Sequence, residues 1–304
     1  NAARVQFFPE GGHLVEGAAQ NVGVYVCDNA LRPMQTDYCI LANNTDTIAR
    51  GHTTKSGLAS FSLNPQPGVS YTFRTPQTDQ GFEMPQTAQS PTIQALQSKG
   101  RLICRVLGDA APDSHLMVYS SDYGLKELTV NNGMALADVD GSVPGVYTLW
   151  LTDASYVPVA ERSIWVGDTP AAEQQEFELI GGKAMDDVFS VKTGSLIDGS
   201  HVFTRVVPEW DTQSLGAFEM LNLSSQLSSA VPFPKGYHES SDTESRHDLN
   251  NWMLSAQQVL YPTEFLRADS LSYPYAVEAA FSMSGEVKQN RVPLKNALVQ
   301  IFNT

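Results

Sequence analysis

The chain has 304 residues, room for two to four domains of ordinary size. Its 42% hydrophobic and 17% charged residues exclude the disordered class, which pairs low hydrophobicity with high charge. A formal net charge of -14 repels phosphate backbones and argues against a nucleic-acid partner, and it also serves plain solubility.

Residues 1–92 read as strands between turn signals. Phe7-Phe8-Pro9-Glu10-Gly11-Gly12-His13-Leu14 ends one strand at a proline and reverses it on a glycine pair. Val22–Asp28 alternates, Tyr38–Ala42 is a short apolar run, and Ile48–His52 precedes the turn Lys55-Ser56-Gly57-Leu58. Ala59–Leu63 and Ser70–Thr75 follow at about ten-residue spacing, the punctuation of a sandwich or barrel. Period two places Val22, Val24 and Val26 toward a core. Gln77–Pro91, rich in Gln, Thr, Pro and Ser, reads as a linker.

Residues 93–168 repeat the plan. Arg101–Leu107 and Ser114–Ser120 are strands. Lys126–Val130 and Met134–Asp138 are expected to form a hairpin around Asn131-Asn132-Gly133. Two long strands follow, Pro144–Asp153 and Val159–Val166, with Val146, Leu149 or Leu151, Ile164 and Val166 toward the second core. Glu176–Ile180, Val188–Lys192 and His201–Val207 suggest a reduced third module over 169–212. A helical and irregular connector over 213–275 contains a helix expected at Asp242–Tyr261, with Leu249, Trp252, Met253 and Leu260 on one stripe. Residues 276–304 open a further β-domain. No basic-then-apolar leader begins the chain and no apolar run nears the ~20 residues that span a bilayer, so Asn1 is expected to be an excision point. The strand Leu298–Phe302 is expected to belong to a module that the chain does not complete.

Three segments carry a resemblance. The Phe7–Gly12 opening followed by the Val22-Gly23-Val24-Tyr25-Val26 strand is similar to the start of macroglobulin-like, immunoglobulin-type modules in large cell-envelope proteins of Bacteroidetes-type bacteria. Pro144-Gly145-Val146-Tyr147 and Val159-Ala160-Glu161-Arg162 resemble the two closing strands of such a module. Phe281–Val287 with Val292–Val299 resembles the opening of a carboxypeptidase-regulatory-like domain. More loosely, Leu223–Leu227 and Asp248–Leu254 resemble the same proteins, whereas Ser255–Leu260 departs from their Gly-Trp-basic tail. The resemblance implies tandem antiparallel β-sandwiches with a small helical insert. It also implies a periplasmic or cell-surface address at the outer membrane, sometimes beside a TonB-dependent transporter.

Four constellations bear on chemistry. No G-x-S-x-G elbow is present, and none of Cys27, Cys39 or Cys104 sits in the short glycine-containing Cys–Gln motif of a thioester. Asp138-Val139-Asp140-Gly141 begins like a calcium loop but lacks the later bidentate Glu, so turn chemistry is the simpler reading and Asp138 and Asp140 are weak metal candidates. His238, Glu239, Asp242, Glu244, His247 and Asp248 match no zinc spacing and suit a solvated helix start. Tyr147, Trp150, Tyr156, Trp165, Trp210 and Trp252 could stack on sugars, and Trp210, between Glu209 and Asp211, is the best placed. Trp210 and Trp252 are therefore the candidate ligand-binding residues. Cys27 and Cys39 lie on consecutive strands and could pair, although an odd cysteine count favours buried free thiols.

The expectation is a non-enzymatic structural and protein-interaction segment of an envelope protein, without a cofactor or transmembrane segment and with a protein partner. A glycan-binding module of a nutrient-uptake system is the alternative.

Overall fold

In the computed structural model, residues 3–76, 81–140, 142–167, 177–180, 190–193, 220–234, 243–259, 266, 288–289 and 292–293 are described. The chain is mainly β and forms two compact units, 1–267 and 268–304.

The first sandwich packs two antiparallel sheets. One has strand order β1-β3-β6, from β1 (Ala3–Pro9), β3 (Gln20–Asp28) and β6 (Leu58–Leu63). The other has order β5-β4-β7-β8, from β4 (Asp37–Ala42), β5 (Asp46–His52), β7 (Tyr71–Arg74) and β8 (Phe82–Glu83). Val22, Val24 and Val26 on β3 are fully buried and meet Ile40 and Phe73 from the facing sheet, as period two requires. Tyr38 stacks on Phe73 at 4.9 Å between ring centroids, and Phe7 meets the same ring edge-on at 5.7 Å.

The second sandwich repeats the design strand for strand. β10 (Thr92–Ser98), β11 (Arg101–Leu107) and β14 (Met134–Asp138) form the sheet β10-β11-β14. β12 (His115–Ser120), β13 (Gly124–Leu128), β15 (Gly145–Thr152) and β16 (Pro158–Val166) form β13-β12-β15-β16. Three antiparallel strands packed against four, in the same order in both modules, is an immunoglobulin-like arrangement. Leu149, Leu151, Ile164 and Val166 enter the second core with Ile93, Leu102, Cys104 and Val118.

Four expectations need correction. The linker over 77–91 contributes structure: β8 closes the edge of the first sandwich, and β9 (Thr87–Ala88) pairs in parallel with β2 (Leu14–Val15). The Asn131-Asn132-Gly133 turn forms, with both middle residues at positive φ (50° and 72°), but it does not join a hairpin. The Gly133 carbonyl accepts the Val106 N–H at 2.8 Å, which captures β14 on β11, whereas β13 stays on β12 in the other sheet. Val146 turns away from the second core, because β15 is buried on both faces. The helix α1 spans Thr243–Ser255, ending before Tyr261; the chain then becomes extended as β20 (Gln257–Gln258), paired with β19 (Leu227–Ser228).

Cys27 and Cys39 lie in different sheets and, like Cys104, are free thiols. A hairpin of β17 (Phe177–Ile180) and β18 (Ser190–Thr193) falls within the expected third module, whose strand at His201–Val207 lies outside the described residues. In the second unit, β21 (Lys288–Gln289) and β22 (Val292–Pro293) pair antiparallel. No described helix is long and apolar enough to cross a membrane.

Candidate functional site

The most constrained polar cluster lies where the two sandwiches and α1 meet. Glu10 leaves the end of β1, at the Pro-Glu-Gly-Gly reversal. It is 1% exposed and forms an ion pair with Arg162 of β16, itself 3% exposed, with Oε1 and Nε 2.9 Å apart. The same Oε1 accepts the Ala95 backbone N–H at 3.2 Å, and Oε2 accepts the Asn21 side-chain amide at 2.8 Å. Arg162 donates further to the Ser163 carbonyl and, at 2.9 Å, to Asn250 Oδ1 on α1. One buried charge pair thus joins both sandwiches and the helix, and nearly every polar atom in it has a partner, as burial of charge demands.

The local backbone explains why these residues occupy this corner. Gly11 has φ +80°, and a Cβ there would collide with Thr92 and the Ile93 backbone. Its carbonyl accepts the Glu161 N–H at 3.3 Å, and the Glu10 carbonyl accepts the Thr92 hydroxyl at 3.1 Å. The glycine pair therefore does more than turn the chain: it lets the first sandwich lie directly on the first and last strands of the second.

Beside the ion pair lies an apolar layer. Tyr25, Cys27 and Leu58 from the first sandwich and Val146 from the second lie beneath Leu249, Trp252 and Met253 of α1, with Leu223, Leu227 and Val231 closing the side. A single π turn, Met220–Ser224, supplies Leu223. Gly23 admits the helix, since a Cβ there would come within 3.0 Å of the Leu254 side chain. Asp248 accepts the Thr54 hydroxyl at 2.7 Å, tying the helix to the turn before β6.

Glu161, next to Arg162, faces the other way. Its carboxylate accepts Trp150 Nε1 at 3.0 Å and the Gln258 backbone N–H at 2.6 Å, which fastens β20 to β16. Burial raises its pKa above the usual carboxylate value, opposed in part by those two hydrogen bonds. Burial also pushes the Cys104 thiol up to about 12, with the nearby Glu10 carboxylate adding to the shift, so this cysteine is no nucleophile.

The residues singled out from sequence fare differently. Trp252, a candidate ligand-binding residue, is corrected to a core anchor. It is buried, its Nε1 donates to the Val231 carbonyl at 3.0 Å, and Phe233 packs edge-on at 4.9 Å. Tyr147 and Trp150 are both buried because β15 is covered on both faces: Tyr147 enters the second core, and Trp150 packs on the other face with Met117 and Leu266. Trp210 lies outside the described residues. Asp138 accepts the Asp140 backbone N–H at 3.2 Å, an Asx-type turn, and no cluster of three metal-ligating side chains occurs among the described residues. Of the acidic stretch at 238–248, Asp248 is engaged as above, and residues 238–242 lie outside the described residues. Glu10 and Arg162 were missed as a pair. Both stand inside the segments that carry the family resemblance; the available signal was Arg162 within a strand predicted to enter a core, whereas Glu10 lies in a turn, where a charge signals nothing.

An open groove of about 730 Å³ lies at one end of the second sandwich, between the loop at Gly108–Ser114 and the connection at Thr129–Gly133. Of its acids, Glu127 is already bonded to His115 Nδ1 at 2.8 Å.

The sheets define the chain as an immunoglobulin-like β protein. No protein-family model matches it, and no curated protein matches it. Among solved structures it is similar to invasin, a bacterial integrin-binding protein, at 16% identity, over 59% of this chain and 42% of that one, with a TM-score of 0.23. The chain spans less than half the length of that protein.

Proposed function

We propose that this chain is a non-enzymatic structural and protein-interaction segment of a large cell-envelope protein, acting at the outer membrane beside a TonB-dependent transporter. The observation that supports this reading is the junction. A spacer must hold an angle, and a buried Glu10–Arg162 pair shared by two sandwiches and a helix resists bending at the point where tandem modules usually flex. The macroglobulin-like resemblance of residues 5–28 and 143–166 supplies the envelope address, and those same segments build the junction.

Two measurements test it. Small-angle scattering of the whole chain should fit one rigid arrangement of residues 3–167 with α1, and Arg162→Ala should broaden the distribution of shapes. Fractionation of the source cells with an antibody to this chain should place it with the outer membrane; recovery in the cytosol sinks the address. The glycan reading requires an exposed coplanar aromatic pair. Tyr147, Trp150 and Trp252 are buried, Trp165 packs against the layer beneath α1 and Tyr156 stacks on His115, so Trp210 is the best-placed candidate left, and sugar-dependent Trp fluorescence tests it directly.

A further inference from the structure

Because the two sandwiches share one strand order, β10-β11-β14 of the second is the counterpart of β1-β3-β6 of the first. In the first sandwich the outward face of that sheet is covered, since Tyr25, Cys27 and Leu58 lie beneath α1. In the second, the outward face carries an aliphatic row that crosses all three strands in register, Leu96–Ile103–Leu136, with Met134 beside it on β14. Leu96, Met134 and Leu136 are 48%, 45% and 52% exposed. Single exposed aliphatics need no explanation, but a sheet face turned to water ordinarily alternates to polar residues, and here the alternation fails across a whole row.

We infer that this face docks an amphipathic helix of a partner protein, with its aliphatic stripe across Leu96, Ile103 and Leu136 and its acidic flank toward Arg101 and Arg105. Two observations choose this occupant. The same chain already covers the counterpart face with a 13-residue helix whose Leu249, Trp252 and Met253 face the sheet. The row is also flanked by exposed arginines: Arg101 lies across from Asp138, and Arg105 lies across from Met134 with no carboxylate opposite. Neither arginine makes an ion pair among the described residues, in a chain whose net charge is -14, so the face is a basic spot on an acidic body. Addition of a strand to β14 is the poorer fit. That edge has only five residues, and the Met134 backbone N–H and carbonyl are both engaged by Asn131.

The inference rests on the reading of this chain as a protein-interaction segment only in requiring a partner. Its test uses the whole chain and a fluorescein-labelled helical peptide of about 16 residues, with Leu at i, i+3, i+4 and i+7 and Glu on the flanks. Controls are a scrambled peptide of the same composition and an alternating Leu–Glu peptide. Anisotropy should show saturable binding of the helical peptide alone. Leu136→Ser should weaken it about tenfold or more, and Arg105→Glu should weaken it comparably, while both variants keep the wild-type melting temperature because the residues are exposed. Equal binding of the scrambled peptide, or no effect of Leu136→Ser, overturns the inference. Tighter binding of the alternating peptide replaces it with strand addition, and a dimer abolished by Leu136→Ser replaces it with a second copy. A chain that scatters as a rigid arm yet binds no peptide loses the docking face and keeps its structural role.

Discussion

At the residue scale, Glu10 and Arg162 show what a buried charge pair does and does not contribute. Two ions removed from water lose hydration that their mutual attraction only roughly restores, so the pair is poor evidence for net stability. Removing one partner is different, because it strands the other. Arg162→Ala should therefore cost about 3–5 kcal/mol in denaturant unfolding. Glu10→Ala combined with Arg162→Ala should cost clearly less than the sum of the two single changes; additive costs would show that the residues do not act as a unit. Glu161 yields a pH prediction. Its pKa is raised in the folded state, so the fold binds its proton more tightly than the unfolded chain does. The stabilisation this brings is full below the ordinary carboxylate value of about 4.3 and is lost as pH rises through the elevated one. Melting temperature against pH should accordingly fall less over that window in Glu161→Gln than in the wild type.

At the element scale, α1 is too short to persist alone in water, since helices below about 12–15 residues are marginal even when rich in alanine. It exists because the outward face of β1-β3-β6 lacks polar residues at Tyr25, Cys27 and Leu58 and has no side chain at Gly23, where Leu254 comes close. Trp252→Ala should cost about 3–5 kcal/mol, as large core truncations do. Hydrogen exchange should locate the loss in α1 and β19–β20 before the sandwich cores. Uniform loss across both sandwiches would mean that the helix is part of one indivisible core. The helix also shows how a hydrophobic stripe can be legible while its end is not. Leu249, Trp252 and Met253 were readable at helical spacing, but the helix end is set both locally, by the Ser255 hydroxyl donating to the Trp252 carbonyl at 2.6 Å, and from 97 positions away, by the capture of the Gln258 backbone N–H by Glu161.

At the scale of the whole molecule, the question is whether two sandwiches fold as two. Their cores are separate clusters, one around Val24 and Phe73 and the other around Leu102 and Leu149. The shared layer beneath α1 and the Glu10–Arg162 pair couple them. Calorimetry of the chain should therefore show a single transition for residues 3–167, and Arg162→Ala should split it in two. Two transitions already present in the wild type would reduce the junction to a contact between independent domains.

Short-range order was determined by the sequence itself. The period-two runs at Val22–Val26, the positive-φ turn at Asn132-Gly133 and the repeated spacing of strands all follow from local sterics and from burial of one face, so they were readable residue by residue. What only the tertiary structure decided is which strand each turn delivers its chain to, which second face becomes buried, and which charges meet. Val146 and Trp252 leave solvent because residues more than a hundred positions away offer them surface, and β13 and β14 part into different sheets because β12 takes one and β11 the other. Glu10 and Arg162, 152 positions apart, pair for the same reason. Such contacts depend on packing between elements, for which no local spacing in the chain is a measure.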